Sequence, residues 1–415
     1  MTRRDYSTTD ATSGSGAETP TRRQFLAAAG VAGITGFAGC GGGGNGNGGG
    51  GGGSTGTIDV IVQSPGWDGQ QVTESINSKF DAEINIERVT TPDVVPGLLS
   101  ESTGTPSTDA GAPSTDTGKK QYDVVMAHNY QGPGLIENDL LAPVNEGAVP
   151  NYSNTFGRLQ EITESQFGDG DAFYGVPIAF DWLGYAYDSR KIPEHESSWS
   201  TLFSDTVGDV DLTEQIVFED TPYPVVTAAA LNLGLDSVFE GAEATISDSQ
   251  KEEISSLLTD KSGLVSHYAN NNLSYLGDDF LIHQVTRAEM TDAWLRPEGE
   301  NIWGHINDWM SWAVPKEGAP TTIDTMVVPA SSENKELAWQ VVNEFLNPEN
   351  VVPAVNLQNA PPSANPEVGE QLKEIDGDGG DVLPVSDTSV LDRLVPVKQT
   401  ANPTTWEELY YAPQY

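Results

Sequence analysis

The sequence predicts an α/β protein built on mixed, mostly parallel sheets flanked by helices. Three observations carry that reading. Short β-branched runs alternate with stretches of helical spacing along the body of the chain, as when strands are joined through helices. Gly, Pro, Asn and Asp bound the apolar runs and punctuate the elements. No segment repeats at a fixed period, and 415 residues suit two domains of ordinary size.

Ile58-Asp59-Val60-Ile61-Val62 reads as the first strand, and Pro65-Gly66 breaks it. Val72, Ile76 and Phe80 share one helical face. Ile84-Asn85-Ile86-Glu87-Arg88-Val89 alternates as a second strand, and a helix is expected to begin over residues 94–99. Residues 102–118, rich in Thr, Ser, Pro, Gly and Asp, hold too little apolar surface to pack and read as a surface insertion. Gln121-Tyr122-Asp123-Val124-Val125-Met126-Ala127 resumes a buried strand, with His128-Asn129-Tyr130 at its C-terminal end. A short helix over 135–141 stops at Ala142-Pro143.

Phe173-Tyr174-Gly175-Val176-Pro177 leads into the most aromatic extended run, Ile178-Ala179-Phe180-Asp181-Trp182-Leu183-Gly184-Tyr185-Ala186-Tyr187. Trp199-Ser200-Thr201-Leu202-Phe203 opens a second region. Gln215-Ile216-Val217-Phe218 is a strand and 225–233 a helix with Pro224 near its start. A helix over 247–258 is capped by Ser247 or Asp248. Residues 287–295 are expected to include a strand. Asp324-Thr325-Met326-Val327-Val328-Pro329 is a buried strand, 336–346 an amphipathic helix, and 406–411 a short closing helix.

Ahead of this body lies an address. Arg22-Arg23 precede a short apolar run over 27–38, and Gly39-Cys40 follow it. The run falls short of the about 20 residues that span a bilayer, so it reads as a secretion signal. Cys40 is the only cysteine, and residues 41–53, nearly all glycine, form a flexible tether behind it. Gly36-Phe37-Ala38-Gly39-Cys40 resembles the cleavage box of twin-arginine lipoprotein signals, which implies a lipid on Cys40.

The net charge is −41, from 61 acidic and 20 basic residues. Self-repulsion of that size strains a compact fold unless salt screens it, since the Debye length falls to about 3 Å at 1 M. The surplus is spread along the chain and reads as salt adaptation of the kind expected in a halophilic archaeon. A cation-loaded surface is the alternative. Nucleic acid is excluded as a partner for want of a basic patch. One cysteine allows no intrachain disulfide.

No Gly-x-Ser-x-Gly elbow occurs. His128, His195, His267, His283 and His305 form no pair at metal-ligand spacing. Gly44-Asn45-Gly46-Asn47-Gly48-Gly49 fits a dinucleotide pattern but follows no strand. Asp376-Gly377-Asp378-Gly379-Gly380-Asp381 lacks calcium-loop spacing. No cofactor, metal or catalytic residue is expected, and the protein is read as a non-enzyme. A secreted acidic enzyme with an unrecognised site, or a structural surface glycoprotein, is the competing class.

From Tyr122 onward the order of motifs resembles the substrate-binding proteins of ABC importers, in the spermidine/putrescine-binding branch of the type 2 periplasmic-binding-protein superfamily. Tyr122-Asp123-Val124-Val125 followed by Tyr130 is similar to its cleft edge. Tyr174-Gly175-Val176-Pro177 is similar to its crossover, and Val314-Pro315-Lys316-Glu317-Gly318, Asp324 and Val328-Pro329-Ala330 to its return segment. The likeness covers residues 58–372 apart from the insertion. It implies two lobes enclosing a ligand and closing about a hinge. The implied lobes are 57–181 and 182–321, with a return to the first over 322–375 and a C-terminal segment, 376–415, packing on the second. Residues 1–39 are then the signal and 40–56 the tether.

The resemblance also implies a monomer that passes a small solute to ABC permease subunits, held at the membrane through Cys40. A polyamine is the preferred ligand, with thiamine, ferric ion or another small solute as alternatives. Ammonium groups near the lysine pKa of about 10.4 stay charged at neutral pH and need carboxylates and aromatic faces around them. Asp324, Tyr130, Trp294 and Trp67 fall on ligand-contacting positions of that family. Thr221, Pro224 and Thr322 stand where it carries an aspartate, a glutamate and a tryptophan. Asp181, Trp182 and Asp220 are the candidates to compensate.

Overall fold

The computed structural model describes residues 56–89, 94–103, 121–270, 273–294, 309–358, 362–375 and 388–414. The leader with Arg22 and Arg23, Cys40, the tether and nearly all of the expected insertion lie outside them.

In chain order the first half runs β1 (Thr57–Val62), α1 (Gln70–Asn77), β2 (Glu83–Arg88), α2 (Val94–Thr103), β3 (Val124–His128), α3 (Gly132–Glu137) and α4 (Gly157–Gln166). A long strand β4 (Val176–Asp188) follows, then a two-stranded hairpin, β5 (Thr206–Val207) with β6 (Val210–Asp211). Next come β7 (Ile216–Phe218), α5 (Pro222–Asn232), α6 (Asp248–Asp260), β8 (Val265–Tyr268), β9 (Ile282–Thr286), α7 (Arg287–Trp294) and β10 (Met310–Ala313). The chain closes with β11 (Ala319–Val327), α8 (Lys335–Glu344), α9 (Pro348–Gln358), α10 (Pro366–Ile375), β12 (Leu394–Pro396) and α11 (Pro403–Tyr411).

The sheet order is β2-β1-β3-β11-β4-β9-β7-β8, with β10 on β4 and β12 on β11. β1 pairs parallel with β2 and β3, and β7 parallel with β8 and β9. β4 joins the two groups. Its first half, through Trp182, pairs antiparallel with β11, and its second, from Leu183, with β9. Those two consecutive residues belong to different cores. Trp182 belongs to the core that holds Trp67, Trp339 and Phe345, while Leu183 belongs to the one that holds Trp199, Val226 and Trp406. Gly184 lies just beyond the change, and a Cβ there would collide with Ala313 O and the Trp312 ring.

A second link ties the halves. The Glu317 carboxylate accepts the Trp199 N–H at 3.0 Å and the Ser198 hydroxyl, and the Trp199 indole donates to Gly318 O at 2.8 Å. Gly318 holds φ of 136°, open to glycine and closed to residues with a Cβ.

Two elements differ from the expectation. Residues 287–294 are helical, and the strand ends just before them at Thr286. The cause is local. Glu289 accepts the Thr286 N–H at 3.0 Å, and the Thr286 hydroxyl accepts the Glu289 N–H at 3.3 Å, a capping box that starts a helix. The helix expected over 135–141 begins earlier, at Gly132, where Pro133 suits the first turn.

Candidate functional site

β1 and β3 run one way and β7 and β9 the other, since three antiparallel pairings through β11 and β4 separate them. The C-terminal ends of the two groups therefore face each other across the middle of β4, and the crevice outside strand C-termini is where α/β sheets place their ligands. A cavity of about 960 Å³ lies there, lined by residues of both cores. Ser64 and His128 bound it from the first group of strands, Thr221 and Glu289 from the second, Asp181 and Trp182 from β4, and Thr322 and Asp324 from β11. The C-terminal stretch from Val397 to Glu407 forms one flank.

Asp324 sits at a break in register. It pairs with Ala179, and the next residue, Thr325, pairs with Pro177. A proline has no N–H for the ladder, so the strand bulges and Asp324 turns from it. The residue is 4% exposed. Its Oδ2 accepts the Ser64 hydroxyl at 2.5 Å, and its Oδ1 lies 3.1 Å from His128 Nδ1. The His128 ring lies 5.6 Å from the Tyr130 ring.

Further acids line the cavity from β4 and α7. Asp181 Oδ1 accepts the N–H groups of Trp182 at 2.9 Å and Ala288 at 3.1 Å. Burial pushes its carboxyl up to about 7, against those two bonds and the nearby Arg287 guanidinium. Glu289 stands in the first turn of α7, where the helix dipole favours an anion. Behind it Glu219 is buried, and loss of water, then the charges of Glu289, Asp181 and Asp220, hold its carboxyl well above the usual carboxylate range. Arg287 is buried too, and burial lowers it to about 10 although Asp181 opposes this.

Aromatic rings line the cavity as well, those of Tyr130, Trp182, Tyr223 and Trp406. Trp182 stacks on Phe180 at 5.4 Å and lies 6.0 Å from the Arg287 guanidinium. Tyr223 stacks on Trp406 at 5.0 Å with the rings 4° from parallel. The Lys398 N–H donates to the Tyr223 hydroxyl at 3.2 Å. The Lys398 ammonium is taken up by the carbonyls of Phe239, at 2.7 Å, and Gly241.

Of the residues expected at a ligand, Tyr130, Asp181, Trp182 and Asp324 line this cavity. Two do not. Trp67 is fully buried in the first core, its ring 5.8 Å from Phe345. Asp220 turns away from the wall, accepting the Tyr410 hydroxyl at 2.8 Å and donating its N–H to Asn270 Oδ1 at 2.8 Å. The Trp294 side chain lies outside the described residues. Sequence reasoning missed Ser64, Tyr223, Glu289 and Trp406. Only Glu289 had a legible signal, the Thr286-Arg287-Ala288-Glu289 capping pattern. Among the described residues, no group of three or more His, Cys, Asp or Glu could hold a metal ion, and no helix is long and apolar enough to cross a membrane.

Comparison with known proteins gives consistent likenesses. The family model described as bacterial extracellular solute-binding protein matches residues 71–378. The putrescine-binding periplasmic protein SpuD of Pseudomonas aeruginosa is 25% identical over 278 residues, covering 62% of this chain and 70% of that protein. The putrescine-binding periplasmic protein PotF of Escherichia coli is 34% identical over 252 residues, covering 57% of this chain and 64% of that one. The chain thus spans about two thirds of these relatives' lengths. The solved spermidine/putrescine ABC transporter substrate-binding protein PotD of Streptococcus pneumoniae superposes with a TM-score of 0.65 at 14% identity, over 86% of this chain and 98% of that one. The GacH receptor of Streptomyces glaucescens gives 0.62 at 12% identity, over 86% and 93%. At such identities these structures establish the two-lobed fold alone.

Proposed function

From the premise that this chain belongs to the family of bacterial extracellular solute-binding proteins, we propose that it captures a polyamine, or a closely similar organic cation, for an ABC importer. The carrying observation is that three acids line one cavity, Asp324 from β11, Asp181 from β4 and Glu289 from α7, together with the rings of Tyr130, Trp182, Tyr223 and Trp406. An α,ω-diamine needs that arrangement, a carboxylate for each end and rings over the methylenes. The putrescine-binding names of SpuD and PotF support the choice.

The cations near the cavity do not oppose it. Lys398 spends its charge on two carbonyls, and Arg287 is buried beside Asp181. Thr221, Pro224 and Thr322 replace the acids and ring that the family resemblance implies. Glu289 and Tyr223 stand near enough to supply a carboxylate and a ring in their place.

The lobes are read as 57–181 with 322–375, and 182–321, with 376–415 leaning on the second. The separate cores on either side of Trp182 and Leu183 support that division. The protein is read as a monomer exported through its twin-arginine signal and anchored by lipid at Cys40.

Thermal unfolding of the full chain in molar KCl, against putrescine, spermidine, thiamine, ferric citrate, sugars and amino acids, tests the ligand. A ligand at a hundredfold excess over Kd stabilises by about 2.7 kcal/mol. Polyamines are expected to raise the midpoint, and a shift with another solute alone would overturn the cation reading. For the anchor, Cys40→Ser is expected to move the protein from the membrane fraction to the medium. Retention at the membrane would sink the lipoprotein assignment.

A further inference from the structure

The cation-binding reading leaves one buried carboxyl without a role. Glu219 follows β7, is 7% exposed and is absent from the cavity lining. Its Oε1 is enclosed and meets no hydrogen-bonding partner. Its N–H donates to Gln284 Oε1 at 3.4 Å, and the Gln284 amide donates to Pro224 O at 2.9 Å. That brace ties the main chain of β7 to β9 and to the start of α5.

The charged groups around it are few. Glu289 faces it from α7, Asp181 from β4, and Asp220 from its own loop. Arg287 at the start of α7 acts on Asp181, and β9 offers only the neutral Gln284. Three carboxyls, Asp181, Glu219 and Glu289, therefore crowd one guanidinium, with Asp220 turned to the Tyr410 hydroxyl. Adjacent buried carboxyls do not all ionise, because the desolvated charges repel, and the pair keeps a proton between them. The Oε1 with no donor in reach fits a carboxyl that carries its own hydrogen.

We propose that in the empty cleft Glu219 holds a proton against the Glu289 carboxylate, and that an ammonium group seating on Glu289 expels it to solvent, so that cation capture releases a proton. The inference rests on the cation reading of the cleft. Glu219 is a positioning residue in this scheme, since it touches Glu289 and never the ligand. One positive charge enters as one leaves, so the cluster's net charge is the same before and after. A neutral solute of the same shape has no charge to exchange, and the coupling selects against it.

The test is titration calorimetry of putrescine and spermidine into the full chain, in buffers of different ionisation enthalpy between pH 6 and 8. Both amines stay protonated in that range, so the protons counted come from the protein. The expected result is a release approaching one proton per ligand, with affinity rising up to about tenfold per pH unit. Glu219→Gln keeps the shape and a donor toward Glu289 but does not titrate. It should still bind while losing the release and flattening the pH profile. The infrared band of protonated carboxyls in the wild type should weaken on ligand addition, a reading that needs no variant. Binding without proton release, or an undiminished release in Glu219→Gln, overturns the proposal alone. Failure of both amines to bind overturns it together with the reading it rests on.

Discussion

The two acidic walls of the cleft hold the same residue type by opposite means. On the β11 side a single carboxylate, Asp324, is met by the Ser64 hydroxyl and the His128 ring. Its charge is spread into donors arranged before any ligand arrives. On the α7 side Asp181, Glu219 and Glu289 crowd together with one guanidinium among them. Donors there are mostly backbone N–H groups, and the remaining charge is suppressed by protons. A buried acid can thus be kept by solvating it with protein or by neutralising it. Only the second way leaves a reserve that a cation can draw out.

The largest expected effects come from treating the walls alike. Asp324→Asn removes one charge and leaves the Ser64 and His128 partners facing an amide. Truncating one member of a buried charged pair costs about 2–5 kcal/mol, at least about thirtyfold in Kd. Polyamine affinity and ligand-free stability should both fall. Glu289→Gln should also weaken binding, yet it removes a like charge from beside Glu219 and should raise the unfolding midpoint of the ligand-free protein. At about 2–4 °C per kcal/mol for chains of 150–250 residues, and less for a longer one, the opposite shifts are measurable.

The size of that second effect depends on pH. The ordinary carboxyl values are 3.8 for Asp181 and 4.5 for Glu219, and both are raised in the folded protein, Asp181 to about 7. Below the ordinary values both states hold their protons and nothing is lost. As pH climbs past them the unfolded chain sheds protons first, so stability drains away until the folded groups ionise too. The gain from Glu289→Gln should therefore grow between pH 5 and 8. His283, fully buried and lowered to about 4 by that burial, works from the other side. Its contribution is whole above 6.5 and fades as pH falls toward 4. Equal midpoint losses in both variants at pH 8 would erase the contrast between the walls.

Much of the frame was legible. β1, β3 and β7 announce themselves as β-branched runs with punctuation, and the aromatic run over 178–187 proved to be the strand that passes between the cores. What escaped is what depends on direction. The family resemblance puts Trp67 at a ligand-contacting position, but nothing local says that it faces Phe345 and not the cleft. Asp220 shares a loop with Thr221, yet Tyr410, 190 residues later, captures it. The stack of Tyr223 on Trp406 joins elements separated by most of a lobe, and no local pattern foretells it. Residues 287–295 are expected to include a strand, and the capping box between Thr286 and Glu289 starts a helix there instead.

The smallest expected effect sharpens the comparison most. Lys398 lines the same cavity as the acids, and a cation there should repel a polyamine. Its Nζ, however, is bound by the Phe239 and Gly241 carbonyls, and its charge is spent on the loop beyond α5. Lys398→Met keeps the stem that packs there and leaves two carbonyls without their donor, a loss of about 1–3 kcal/mol in stability if they stay dry. Polyamine affinity should change by less than about twofold, since a charge already neutralised by nearby dipoles and separated by water is screened from the ligand. A large gain in affinity would mean that the ammonium visits the cleft. Then the acidity of the walls would have to be reckoned against it, and the crowded α7 side would need fewer protons to stay folded.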